Sequence, residues 1–371
     1  ALPPLTRKTD GLPTGAVSGF CSMLFKLLED SKSNENKQKP SHFAVIFDSA
    51  RKTFRNEIYK DYKANRAEAP DDLAPQFEYI RKSVLAFNLP SVDLANYEAD
   101  DLIATYVEQI LKQGAKVTIV SSDKDLMQLF KKNVRIFDPM KNKFISDEDV
   151  KNKFGVDASK VIDVQSLAGD SSDNVPGVPG IGVKTAAELI NTYGSLEKLL
   201  DSAGEIKQNK RRETLIENKN KAIISKKLVT LKNDAPVNRE LDEFKLKEID
   251  KDKLYKFLRE MEFNRLLSQA ISFYGESKGE DFKSKDLPKK NSEINTKLYK
   301  SILKEKDLDE LIKHLNEKTI IAVDTETTSL NPQEASLVGI SISYAANTSY
   351  YIPLSHKNIK GLDKEIVFKK L

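Results

Sequence analysis

The chain has 371 residues, with 60 Lys+Arg against 56 Asp+Glu and a formal net charge of +4. That length suffices for two or three domains with separate cores, and so small an excess of positive charge is only a weak hint of a polyanionic partner. A single cysteine excludes an internal disulfide and fits a reducing compartment, and no apolar stretch approaches the roughly 18 residues of a membrane span or resembles a signal peptide.

The first helical pattern places Cys21 on an apolar face with Val17, Phe20, Leu24, Leu27 and Leu28, which reads as a core thiol. The run FAVIF then reads as a strand ending at Asp48. Next comes RKTFRNEIYKDYKANR, in which Arg51, Lys52, Arg55, Lys60, Lys63 and Arg66 alternate with Phe54, Tyr59 and Tyr62. Such a stretch suits phosphates and unstacked bases, and a solvated helix could look the same. YEADDL opens a helix whose apolar positions, Leu102, Ile103, Tyr106, Val107, Ile110 and Leu111, run to Gly114. VTIV is a buried parallel strand delivering Asp123 and Asp125, two apart and so expected on one side of extended backbone.

From about 165 to 270 the pattern is helical and rich in Lys and Arg, beginning with LAGDSSDN, which holds Asp170 and Asp173. NVPGVPGIGVKTAAELI follows. Gly177, Gly180 and Gly182 allow backbone N–H groups to approach a ligand, and the helix starting near Lys184 and Thr185 offers its positive end. That device holds a nucleic-acid phosphate without reading sequence; the plainer alternative is a turn between packed helices. A polar linker, a helix (LDELIKHLNE) and three strand-like runs (TIIAVDTET, SLVGISISYA, TSYYIPL) complete the chain. The boundaries expected are an α/β domain over 1–165, a helical region over 166–272, a linker over 273–296 and a further domain over 297–371.

Asp48, Glu98, Asp100, Asp101, Asp123, Asp125, Asp170 and Asp173 thus fall in four clusters, each at the end of an apolar run. Any one cluster could be a helix cap or a solvated loop. Four converging clusters must share cations, since unpaired buried carboxylates are very costly, and hard oxygen donors select magnesium or manganese. Phosphodiester hydrolysis by a two-metal site is the chemistry this suits. The three histidines, His42, His314 and His356, adjoin no cluster, which weighs against zinc and histidine bases.

VIFD, KTFR, YK-x-NR, EADD, SSDKD and GDSSDNVPGVPGIGVKTA closely resemble the 5′ nuclease domain of bacterial DNA polymerase I, a flap-endonuclease relative, over nearly all of residues 1–270. TIIAVDTETTSL after the linker resembles the start of the same family's 3′–5′ proofreading domain. The resemblance implies a PIN-like, mostly parallel sheet with helices on both faces, a helix–hairpin–helix DNA-binding region and a truncated ribonuclease H-like exonuclease domain. It implies that all eight clustered acids are metal ligands, and that Asp324 and Glu326 are ligands of the second site. Arg55, Tyr62, Lys63 and Arg66 would act at the scissile phosphate and its flanking nucleotides, with Lys52, Gly177, Gly180, Gly182, Lys184 and Thr185 on DNA.

The implied cofactors are Mg2+ or Mn2+, with K+ at the glycine-rich turn. The implied partners are branched or nicked DNA with a 5′ flap and the remainder of a polymerase chain, in the bacterial cytoplasm at the nucleoid, with neither membrane nor oligomer. The family also has an earlier strand bearing another aspartate, ahead of Ala1, and further carboxylates beyond Leu371. The chain is therefore expected to be an incomplete piece, active as a 5′–3′ exonuclease and flap endonuclease or impaired to a DNA-binding fragment. A PIN-like ribonuclease is the more distant alternative.

Overall fold

A computed structural model describes residues 5–33, 39–277, 299–317, 320–329, 334–345, 348–356, 359 and 361–371. The expected linker lies outside the described residues from 278 onward. Two compact units divide the chain, Ala1–Phe282 and Lys283–Leu371.

The first unit begins α1 (Gly15–Ser33), β1 (Val45–Ile46), α2 (Arg55–Ile58), α3 (Gln76–Ala86), β2 (Ser91–Val92), α4 (Ala99–Lys112) and β3 (Val117–Val120). It continues through β4 (Val134–Asp138), β5 (Lys143–Phe144), α5 (Asp147–Phe154), α6 (Val161–Ala168) and α7 (Val183–Tyr193). Then come α8 (Leu196–Asp201), α9 (Asn209–Glu217), α10 (Lys219–Val229), α11 (Lys251–Glu260) and α12 (Asn264–Tyr274).

β1 is shorter than its apolar run FAVIF, whereas β3 and β4 span theirs, and the strands of this unit form two sheets. β1 pairs with β2 in parallel; β3 pairs with β4 in parallel, and β5 closes antiparallel on β4. Helix α4 packs on both β1 and β3. Its spacing dictates this role, because Leu102, Tyr106 and Val107 form one buried stripe. Its end is also set by sequence, since Gly114 takes φ +73°, the left-handed turn that lets the chain leave the helix.

Two smaller clusters and two large cores hold the unit. One packs β3 and β4 (Ile119, Ile136) against the helical region, reaching Leu167, Ile190 and Leu215. The other brings Val17, Cys21 and Leu24 of α1 against Val84 and Phe87, and against Leu254, Tyr255 and Leu258 of α11. Cys21 is fully enclosed there and burial pushes its thiol up to about 12, so it is a packing residue.

The second unit contains β6 (Tyr299–Ser301), α13 (Glu305–Asn316), β7 (Ala322–Thr327), β8 (Leu337–Ser343), β9 (Ser349–Pro353) and α14 (Lys364–Lys370). Its sheet runs β6-β9-β8-β7. The apolar stripe of α13, Leu308, Leu311 and Leu315, belongs to one core with Ile340, Ile342 and Ile352 of the sheet.

Candidate active site: an acid-lined cleft

Four elements meet at one cleft. Asp48 follows β1, and its Oδ1 accepts the N–H of Ala99 at 2.8 Å, so a carboxylate sits on the positive end of α4. Glu98 is the N-cap of α4, and Asp100 lies in its first turn. Asp123 and Asp125 come from the loop after β3, and Asp170 and Asp173 from the turn after α6. Asp48, Glu98, Asp100, Asp123, Asp125, Asp170 and Asp173 all line this cleft together with Arg55, Tyr62, Lys63 and Arg66.

The route by which Asp123 and Asp125 reach it differs from the expected extended strand. Asp123 Oδ1 accepts the N–H of Asp125 at 2.9 Å, and Asp125 begins a 3-10 turn reaching Leu129. The strand ends at Val120, and an Asx-type turn takes over because aspartate competes well for backbone donors.

Asp101 is a correction. Its carboxylate faces inward, where Oδ2 accepts from Arg55 Nη1 at 2.7 Å and from the Glu98 N–H at 3.1 Å. Oδ1 accepts from Arg55 Nη2 and from the Lys232 N–H, each at 2.8 Å. Fully enclosed and saturated with donors, Asp101 has no lone pair to offer a metal. Arg55 is corrected with it. The guanidinium is 1 % exposed, and Nε and Nη2 also donate to the carbonyls of Leu228 and Thr230. It touches the cleft wall with four of its five N–H groups committed and Nη1 3.4 Å from Glu98 Oε2, which leaves it holding the protein rather than free for a phosphate.

Tyr62 is likewise not a stacking platform. Its ring is buried with Val175 and Leu228, and its hydroxyl lies 3.2 Å from Glu98 Oε2 and 3.3 Å from Asp173 Oδ2. Burial, with Glu98 next, holds the phenol far above its ordinary range, so it stays protonated and donates its one O–H to either of these carboxylates. Lys63 and Arg66 are better placed: Lys63 Nζ donates to Glu98 and lies 3.6 Å from Asp173 Oδ2, while the half-exposed Arg66 pairs with Asp173.

Lys52 is exposed beside this segment. Lys124, inside SSDKD, carries no signal of its own in the sequence, and it pairs with Asp170 at 2.5 Å. Also missed were Gln165, whose Nε2 reaches Asp125 Oδ1 at 2.6 Å, and Gln128, which binds the Asp125 carbonyl at 3.0 Å. Buried amides on helical spacing leave no mark in a sequence.

Anionic charge is in surplus. Among the described residues Asp48, Asp100 and Asp123 have no cationic partner, and no three acidic groups are closed into a ready coordination sphere. The half-buried Asp100 carboxyl is pushed up to about 8, first by burial and then by Asp123, Glu98, Asp125 and Asp48. Asp125 is pushed up to about 6 by burial and by Asp123. All-oxygen donors under mutual repulsion fit a hard divalent cation, which would compensate the charge once the carboxylates rotate toward it.

The glycine-rich turn divides into two parts. Gly177 is packed against Gly169, where a Cβ would lie 2.5 Å from the Gly169 nitrogen, and its N–H donates to the buried Ser225 Oγ at 2.9 Å. It is therefore a packing glycine, which corrects its expected place on DNA. Gly180, Gly182 and Lys184 are exposed and Thr185 half-buried, with Gly182 capping α7 and, among the described residues, no side chain satisfying that helix's first N–H groups.

In the second unit, Asp324 and Glu326 stand on the exposed edge strand β7, opposite Ser341 and Gly339 of β8 and alternating with Thr325, so both face one side.

Residues 1–155 match the family described as 5′-3′ exonuclease, N-terminal resolvase-like domain, and 156–252 match 5′-3′ exonuclease, C-terminal SAM fold. Residues 299–365 match 3′-5′ exonuclease. The chain is 38% identical to a 5′-3′ exonuclease of Aquifex aeolicus, over 74% of this chain and 91% of the relative. It is 43% identical to DNA polymerase I of Rhizobium leguminosarum over 97% of this chain and 42% of the relative. The chain thus spans about two fifths of the length of that polymerase. Among solved structures, T5 5′-exonuclease with bound zinc superposes with a TM-score of 0.51 at 23% identity, over 66% of this chain and 90% of that one. A bacteriophage T5 flap endonuclease in a pseudo-enzyme–product complex with DNA and metal ions gives 0.50 at 20% identity, over 70% and 91%. These likenesses show the shared fold.

Proposed function

The chain belongs to the 5′–3′ exonuclease family, and from that premise we propose that the cleft hydrolyses DNA phosphodiesters at 5′ ends and flaps. The observation that supports this is the convergence of seven carboxylates from four segments on one cleft, with Lys63 and Arg66 on its wall. Asp48, Glu98, Asp100, Asp123, Asp125, Asp170 and Asp173 are the residues we assign to holding Mg2+ or Mn2+. When bound, the cations supply an activated water and neutralise charge on the attacking and leaving oxygens.

The protein's own groups do the rest. Lys63 and Arg66 exchange Glu98 and Asp173 for a phosphate that enters between them, and hold it as negative charge grows. Tyr62 and Arg55 keep Glu98 and α4 in place from behind. The exposed N-terminus of α7 receives a backbone phosphate of the duplex through its free N–H groups, without reading bases.

We place the chain within a DNA polymerase I acting on branched or nicked DNA in the bacterial cytoplasm, with Asp324 and Glu326 assigned to a second, 3′–5′ site. The test is cleavage of a labelled 5′-flap duplex in magnesium and in EDTA. Loss of cleavage in EDTA and in Asp123→Asn supports the reading; cleavage that persists in either defeats it.

A further inference from the structure

Gln165 sits on α6 at 4 % exposure, and its Nε2 lies 2.6 Å from Asp125 Oδ1. The opposite end of the same amide, Oε1, is buried with no partner among the described residues. The amide cannot be reversed, because that would set two oxygens at 2.6 Å. A buried carbonyl without a donor is a standing cost to the fold, and an apolar side chain of the same length would avoid it. Packing therefore does not explain a glutamine here; the bond to Asp125 does.

A second amide grips the same turn by its backbone. Gln128 Nε2 donates to the carbonyls of Asp125 and Val229, both at 3.0 Å, while its Oε1 accepts the N–H of Leu231 at 3.1 Å. Asp125 is thus held at its carboxylate from α6, and at its carbonyl by a side chain that is itself tied to the end of α10.

We infer that Gln165 is a positioning residue for Asp125, fixing which carboxylate oxygen turns into the cleft, with Gln128 as the backbone half of the clamp. The inference rests on the proposed reading of Asp125 as a metal ligand. With Gln165 donating to Oδ1, the other oxygen, Oδ2, is the one presented to the cation. Groups that orient a ligand from behind typically change metal affinity or activity by about ten- to a hundred-fold when removed.

The experiment uses Gln165→Met and Asp125→Asn in the whole chain. It measures Mn2+ affinity by the loss of free-ion paramagnetic signal, the thermal midpoint in EDTA, and flap cleavage resolved into kcat and KM. For Gln165→Met we expect Mn2+ affinity and kcat to fall by about ten-fold or more, KM to stay within about two-fold, and the metal-free midpoint to hold or rise. A purely structural glutamine would instead lower the midpoint and leave Mn2+ binding alone, which overturns the inference. If Asp125→Asn binds Mn2+ as tightly as the unaltered chain, the metal assignment itself fails. If Asp125→Asn weakens binding and Gln165→Met does not, only the clamp fails.

Discussion

Arg55 and Asp101 form a bidentate ion pair in the interior of the first unit, with both N–O distances at 2.7–2.8 Å and neither side chain more than 1 % exposed. It ties α2 to α4, and through the Leu228 and Thr230 carbonyls it reaches the end of α10. Charges taken this far from water are tolerable because the carboxylate accepts four hydrogen bonds and four of the five guanidinium N–H groups donate one, with Glu98 near the fifth.

Removing one partner should therefore affect folding more than chemistry. Arg55→Met leaves Asp101 buried and unpaired, and should cost about 3–5 kcal/mol in urea unfolding. Asp101→Asn should also destabilise, yet leave the Mn2+ affinity of the folded protein within about two-fold, because its oxygens face away from the cleft. A large loss of Mn2+ affinity in folded Asp101→Asn would return Asp101 to the metal set.

Lys63 and Arg66 carry a different expectation. Lys63 takes φ +56°, and its backbone N–H donates to the Asp173 carbonyl at 2.9 Å, so the strained residue is aimed by the very turn that bears the acid. Lys63→Ala should lower single-turnover cleavage by about 10²–10³-fold, the usual effect of losing one oriented charge-stabilising donor. DNA affinity measured in calcium should change only a few-fold. Unaltered turnover would make Lys63 a mere partner of Glu98.

Asp100 and Asp125 predict an unusual pH dependence for the metal-free protein. Their carboxyls are raised in the folded state, to about 8 and about 6, from the ordinary aspartate value of 3.8. The folded chain then retains protons that the unfolded chain has released, so stability declines as pH rises from about 4 through about 8. Urea midpoints in EDTA should fall across that window, and Asp100→Asn should flatten the upper part. Magnesium should restore the midpoint most at high pH and release protons on binding, which calorimetry in buffers of different ionisation enthalpy detects. A pH-independent midpoint in EDTA would contradict the charge surplus in the cleft.

Much of this site was legible because carboxylates at the ends of apolar runs have few structural uses. Asp48, Asp123 and Asp170 are all placed by that logic, and the cleft gathers them. Asp101 was misplaced although its signal was present: Glu98 and Asp101 at the start of an apolar helix are a capping box, with the acid at the third position turned back on the cap. Arg55 and Tyr62 could not be sorted from Lys63 and Arg66, because burial within a basic, aromatic stretch depends on tertiary packing against Leu228 and Val175. Gln165 was invisible for the same reason: its meaning lies in a contact forty residues away. Strand length is legible in VTIV and VRIF, which pair throughout, but not in FAVIF, which is apolar throughout yet pairs only at Val45 and Ile46.

The two kinds of glycine in the 177–182 turn give the last prediction. Gly177 has φ +57°, and a Cβ there would fall 2.5 Å from the Gly169 nitrogen and 2.7 Å from the Ala168 carbonyl carbon, all backbone that cannot step aside. Gly177→Ala adds this overlap to a left-handed backbone, so it should lose more than about 3 kcal/mol and disturb the Asp170–Asp173 turn that Gly169 precedes. Gly180 also has φ +73°, yet a Cβ there meets nothing within 4 Å. Gly180→Ala should cost only about 1–2 kcal/mol, the backbone penalty alone. Its methyl group would protrude before the N-terminus of α7, where we place a DNA phosphate. Duplex affinity in calcium should therefore drop several-fold for Gly180→Ala at a temperature where it remains folded, with the metal affinity of the cleft unaffected. Equal stability losses for the two variants would refute the division of the turn into a packing half and a binding half. Full duplex affinity in Gly180→Ala would remove the α7 terminus from the DNA path.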